Sequence, residues 1–208
     1  MLGKIKTFNG LINLLESNNQ YSHSSNRKVL LEKIVGNTGL DAIPSQNKIP
    51  DFSEMDQISS ESGGGEADTF KSGNTFYKDF RGKQKGFGMW KDSESSKSRP
   101  ATKDEFLIRV ALHNKLFPQS NIEIISFDEN GVITKQKQVD GEQYETDDVR
   151  DLLKTRGWEH IKGDTFKHKS GVMMYDADYN GATKYETNEY GEQIAVDWTP
   201  FDVLLVPF

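Results

Sequence analysis

The sequence predicts an α+β fold, on three observations. Its apolar patterns run in the order strand, strand, helix, hairpin, helix and then short strands, without the βαβ alternation that builds a parallel sheet. Only 34% of the 208 residues are hydrophobic, yet 12 Phe, 7 Tyr and 3 Trp supply enough aromatic volume for one core. Turn-punctuated periodicity begins near Ser60, and the residues before it read differently.

Residues 1–36 hold two stretches with helical spacing. These are Ile5, Phe8, Ile12 and Leu15, then Val29, Leu30 and Ile34, stopped by Gly36, with a polar run from Glu16 to Asn26 between them. Residues 37–59, with Pro44, Pro50 and many serines and acids, read as a linker, and residues 60–208 as the main domain. Ser62 to Phe70 and Gly73 to Lys78 predict two short strands, with a glycine turn before the first and a Gly-Asn turn between them. Residues 82–103, rich in Gly, Lys and Ser, read as a mobile loop.

From Thr102 to Leu116, apolar Phe106, Leu107, Val110 and Ala111 alternate with Glu105 and Arg109 at helical spacing, which predicts a helix with one buried stripe. Ile122 to Phe127, the turn Asp128-Glu-Asn-Gly131 and Val132 to Val139 predict a β-hairpin. Thr146 suits a helix cap ahead of Asp147 and Asp148, with Val149, Leu152 and Leu153 on the core face and Gly157 as the stop. Phe166 to Tyr175, Gln193 to Val196 and Val203 to Val206 read as strands.

Composition narrows the function classes. With no cysteine, disulfides, thiolate nucleophiles and Cys-based metal sites are excluded. Apolar runs of four or five residues are too short for a membrane span or a signal peptide, so no membrane partner is expected and a cytoplasmic location is. A net charge of -6 without Lys/Arg clusters provides no counterion-release term for duplex nucleic acid.

Several residues are candidates for chemistry. Gly63, Gly64 and Gly65 could let backbone N–H groups approach phosphate, although a glycine run after a serine-rich segment is also simply flexible. Lys78, at the end of its strand, suits a phosphate partner or a solvated surface position. Asp197 follows three apolar residues and precedes Trp198; a carboxylate there needs a partner, either a metal ion or a capping role. His113, His160 and His168 show no metal-ligand spacing. Trp158, after a helix-ending glycine, reads as core.

Taken in sequence, Gly-Gly-Glu66, Lys78, Leu112-His-Asn-Lys-Leu-Phe-Pro118, Gln138-Val139, Arg-Gly-Trp158, Gly171-Val-Met-Met-Tyr-Asp176 and Val-Asp-Trp198 resemble the polyvalent protein kinase family. That family is a compact kinase-like group of mobile elements and phages of Bacteroides-type bacteria. The resemblance spans roughly residues 60–208, and its most specific piece is Leu112 to Pro118. It implies a two-lobed kinase-like fold binding ATP and Mg²⁺. Gly63 to Glu66 would cover the phosphates, Lys78 would pair with them, and Glu105 would be the lysine's salt-bridge partner. Gln138, Val139 and Asp140 would form the hinge near adenine, Asp176 would orient the acceptor hydroxyl, and Asp197 would hold magnesium.

The chain departs from the family at Asp176-Ala-Asp-Tyr-Asn-Gly181. Asp178 stands at the family's histidine position, and Asn180 falls one residue before the metal-binding asparagine. The implied function is therefore an ATP/Mg-dependent phosphotransferase or a pseudokinase that has lost transfer. Asp176, Asp178, Asn180 and Gly181 also fit the first half of a calcium loop, or a plain turn. The alternative function is a noncatalytic structural or interaction protein of a phage or mobile element, with residues 1–59 open to a protein partner or substrate.

Overall fold

A computed structural model describes residues 44, 47–58, 65–83, 86–91, 97–139, 141, 146–175, 181–200 and 203–207. The helices read over residues 1–36 lie outside these.

The first sheet is antiparallel, in the order β1 (Asp56–Gln57), β2 (Asp68–Ser72), β3 (Thr75–Asp79), β7 (Val132–Lys137) and β6 (Ile122–Phe127). Its first strand lies within the segment read as a linker. Asp56 and Gln57 pair with Lys71 and Phe70, and Phe52 stacks on Phe70 with ring centroids 4.2 Å apart. At the other edge, Lys48 N–H donates to the Ile125 carbonyl and the Asn47 amide oxygen accepts from Phe127 N–H. Residues 56 and 57 thus form one edge strand of the sheet, and residues 47 and 48 bond part of the strand at the other edge.

Between β3 and the helix the chain forms a small ribbon, β4 (Met89–Lys91) with β5 (Ser98–Pro100), where sequence reading placed a mobile loop. Its glycines have a specific use. At Gly86 (φ +85°) and Gly131 (φ +142°) the two backbones touch, and a Cβ on Gly131 would lie 2.8 Å from Gly86 Cα. Phe87 and Trp90 beside them are buried.

Helix α1 (Lys103–Leu116) begins in a capping box. Thr102 Oγ1 accepts from Glu105 N–H, and the Glu105 carboxylate accepts from Thr102 N–H. Its burial goes beyond a stripe: from Asp104 to His113 every residue except Arg109 is buried. A helix enclosed on all sides is the centre of a core. On one side Phe106 meets Phe80, the residue after β3, edge-on at 5.2 Å. On the other side lies β13 (Leu204–Pro207).

The second sheet is antiparallel in the order β13, β10 (Val172–Tyr175), β9 (Thr165–His168) and β8 (Trp158–Lys162). The single strand read from Phe166 to Tyr175 is in fact β9 and β10, folded back at Lys169-Ser170-Gly171. Helix α2 (Thr146–Thr155) ends at Gly157, whose φ of +88° is the left-handed conformation glycine supplies at a helix terminus. It packs on β8 and on the ribbon of β11 (Gly181–Thr187) and β12 (Gln193–Pro200).

The α+β, two-lobed kinase-like expectation is overturned. Among the described residues there are thirteen strands and two α-helices, so the fold is mostly β. After α2 the chain builds a four-stranded sheet and a ribbon, not a helical lobe. One apolar cluster joins both sheets around α1, with Phe117 stacked on Trp158 and edge-on to Trp198. Each large apolar side chain in it contributes about 1.5–3 kcal/mol by leaving water.

Candidate functional site

Strand alternation fixes which way Lys78 faces. Phe80, two residues on, packs on α1, so Phe76 and Lys78 share that inner face with their cross-strand neighbours Gln136 and Thr134. Lys78, Thr134 and Gln136 line a cavity of about 40 Å³, closed from the helix side by Arg109 and His113. Sites for drug-sized ligands are roughly 300–1,000 Å³, so a nucleotide does not fit as the cavity stands. On the sheet's opposite face an open groove of about 380 Å³ runs past Tyr77, Gln119, Glu123 and Lys135.

The described acids of the candidate set, Glu66, Glu105 and Asp197, do not line this cavity, and each meets an arginine. Glu66, in the turn before β2, accepts from Met89 N–H at 2.9 Å and from Arg109 at 3.4 Å, while Arg109 also donates to the Met89 carbonyl at 2.7 Å. This three-way contact ties the turn before β2, the β4 ribbon and α1 together. Glu105 is fully buried and takes both guanidinium nitrogens of Arg99 on β5, at 2.8 and 2.5 Å. Asp197 on β12 accepts from Arg156 at 2.5 Å; the same guanidinium donates to the Trp198 and Val196 carbonyls at 3.2 and 3.5 Å. Arg156 thereby covers the outer edge of β12 just past the end of α2.

Neither Glu105 nor Asp197 lines the Lys78 cavity. Gln138 and Val139 come after β7, where Gln138 N–H donates to the Asn74 carbonyl at the β2–β3 turn. Gly65 lies in the same turn as Glu66. Gly63, Gly64, Asp140, Asp176, Asp178 and Asn180 lie outside the described residues, and with them the calcium-loop reading. Asp197, the described residue offered to magnesium, has its Oδ1 held by the Arg156 guanidinium.

The segment Leu112 to Pro118 has a complete structural explanation. His113 Nε2 lies 3.0 Å from the Ser120 carbonyl and 2.9 Å from its hydroxyl, and Phe117 joins the core. Pro118 opens a 3-10 turn through Ser120. Asn114 donates its amide to the Ile122 carbonyl and accepts from Ile122 N–H. The motif turns the chain from α1 into β6.

Among the remaining titratable groups, burial pulls the His168 pKa below the ordinary histidine value, with neighbouring Lys169 adding to the effect and the hydrogen bond to the Arg156 carbonyl opposing it. Burial, reinforced by Glu105, raises the Asp104 carboxyl. Sequence reading missed the roles of Arg99, Arg109 and Arg156. The spacing of Glu105 and Arg109 suits an i, i+4 pair, but Glu105 bonds Arg99 and Arg109 bonds Glu66, so no local signal pointed to these partners.

Among the described residues no helix is long and apolar enough to cross a membrane. No family model matches the chain, and neither a curated protein nor a solved structure matches it.

Proposed function

We propose that the chain is a noncatalytic structural or interaction module, not a phosphotransferase. The observation that carries this reading is that Glu66, Glu105 and Asp197 are each bonded to an arginine of another element, at a junction of the fold. Phosphoryl transfer needs a lysine and metal-binding acids gathered on one triphosphate. Here Lys78 lines a cavity of about 40 Å³ that includes none of the three acids.

Thermal unfolding with and without Mg·ATP, alongside transfer of labelled γ-phosphate to a generic acceptor protein, tests this. The expected result is an unchanged melting temperature and no transfer. A saturable stabilisation, about 2.7 kcal/mol at 100-fold the dissociation constant, together with transfer lost in Lys78→Met, would restore the phosphotransferase reading.

A further inference from the structure

The hairpin of β11 and β12 ends in a tip that is well bonded internally and yet stands in solvent. Asn188 holds it: its side-chain oxygen accepts from the Tyr190 and Glu192 N–H groups, and its amide donates to the Glu192 carboxylate, each at 2.9 Å. Gly191, with φ +83°, completes the turn. From Glu186 to Ile194 every residue except Asn188 is exposed, and Tyr190 is 80% exposed. A tyrosine on a fixed turn has little freedom left to lose on binding, and tyrosine is among the residues that anchor interfaces. The tip is also acidic, with Glu186, Glu189 and Glu192 against Lys184 alone.

A surface of complementary character lies on the same molecule. The groove of about 380 Å³ on the outer face of the first sheet is lined by Tyr77, Gln119 and two lysines against one acid. Lys135 pairs with that acid, Glu123, at 3.0 Å, and Lys137 ends β7 in an exposed position. Its volume falls within the range of roughly 300–1,000 Å³ that suits a compact guest, so one aromatic side chain enters without rearrangement. The exposure of Tyr190 shows that the chain's own tip does not fill it. The groove nevertheless adjoins the ribbon, because β12 touches the turn Pro118–Ser120, and Pro118 and Gln119 form part of the groove's wall.

We infer that the occupant is a second copy of this chain, in a reciprocal dimer in which each hairpin tip fills the opposite groove. Tyr190 enters beside Tyr77, and Glu189 faces Lys137 across the interface. With each arm rooted beside its own groove, a twofold axis brings both exchanges about at once and closes the assembly at two. Two tips make a small interface, so the dimer is of the weak, reversible kind. An acidic tip disfavours nucleic acid as the alternative guest. The inference goes beyond the noncatalytic reading. A monomer indifferent to Mg·ATP would overturn it and leave that reading standing.

Sedimentation velocity of the full chain, from micromolar to millimolar concentration, tests it. Expected is a reversible monomer–dimer equilibrium that Tyr190→Ser weakens by about tenfold or more. Lys137→Glu and Glu189→Lys should each weaken it to a similar degree, since either one alone sets like charges across both contacts. Mixing these two variants pairs opposite charges at both contacts again and should restore the dimer. All three positions are exposed, so the variants keep the fold. A monomer at every concentration would overturn the inference and leave the groove to another guest. Association untouched by Tyr190→Ser, growth beyond the dimer, or a mixture that stays monomeric would overturn it as well.

Discussion

Asn114 holds Ile122 as a neighbouring strand would: its side-chain amide donates to the Ile122 carbonyl at 2.9 Å and accepts from the Ile122 N–H at 2.7 Å. One side chain on α1 thus closes the backbone at the start of β6, and residues 47 and 48 close it further along. Asn114→Ala removes two hydrogen bonds and leaves both backbone groups to find water. It should destabilise by about 1–3 kcal/mol in urea denaturation and promote concentration-dependent association through the opened edge. An unchanged urea midpoint would mean the amide is dispensable.

Glu105 joins a helix cap to an ion pair in a fully buried position. Glu105→Ala removes the acceptor of the Thr102 N–H and of two Arg99 N–H groups together and should lower stability by about 2–3 kcal/mol. Thr102→Ala, which removes one capping bond, should lower it by about 1 kcal/mol. Equal losses in the two variants would contradict the dual role.

His168 should make stability fall in mild acid. Its network fits the neutral ring, with Nε2–H donating to the Arg156 carbonyl and Nδ1 accepting from Ser170 N–H and its hydroxyl. The folded pKa lies below the unfolded one, so the unfolded chain binds the extra proton first. This contribution is therefore fully present above the unfolded histidine value and is lost as pH falls from there through the folded value. Urea midpoints measured across that window should fall more steeply with acid for wild type than for His168→Gln. Parallel profiles would rule the ring out as the source.

Asp104 should act in the opposite direction. Its folded carboxyl is raised by burial and by Glu105, so the folded chain holds the proton longer, and stability declines as pH rises through the window above the unfolded aspartate value. Asp104→Asn should therefore gain relative to wild type at neutral pH, and the gain should vanish in strong acid. A variant whose relative stability is independent of pH would show that the carboxyl is not strained by its surroundings.

Local elements were legible where chemistry repeats within a few residues. The helix from Thr102 to Leu116, the 122–137 hairpin with its Asp128 to Gly131 turn, and the Gly157 stop could all be read because side-chain spacing and glycine placement encode them. The three-residue strands β4 and β5 are too short to display alternation, and the glycines around them read as looseness when Gly86 serves a close backbone contact. The class was missed because pairing between β13 and β10, or between β1 and β2, joins distant segments and leaves no periodic trace. In the candidate site, Asp197 reads as an acid that needs a partner, but Arg156, 41 residues away, is visible only after folding.

The most direct test of whether these acids serve the fold or a nucleotide is a double-mutant cycle of Arg156→Met and Asp197→Asn, read by thermal unfolding with and without Mg·ATP. The expected result is a coupling of about 1 kcal/mol, modest because the pair is partly exposed, and identical in both conditions. Absence of coupling, with a Mg·ATP stabilisation of wild type that disappears in Asp197→Asn, would contradict it.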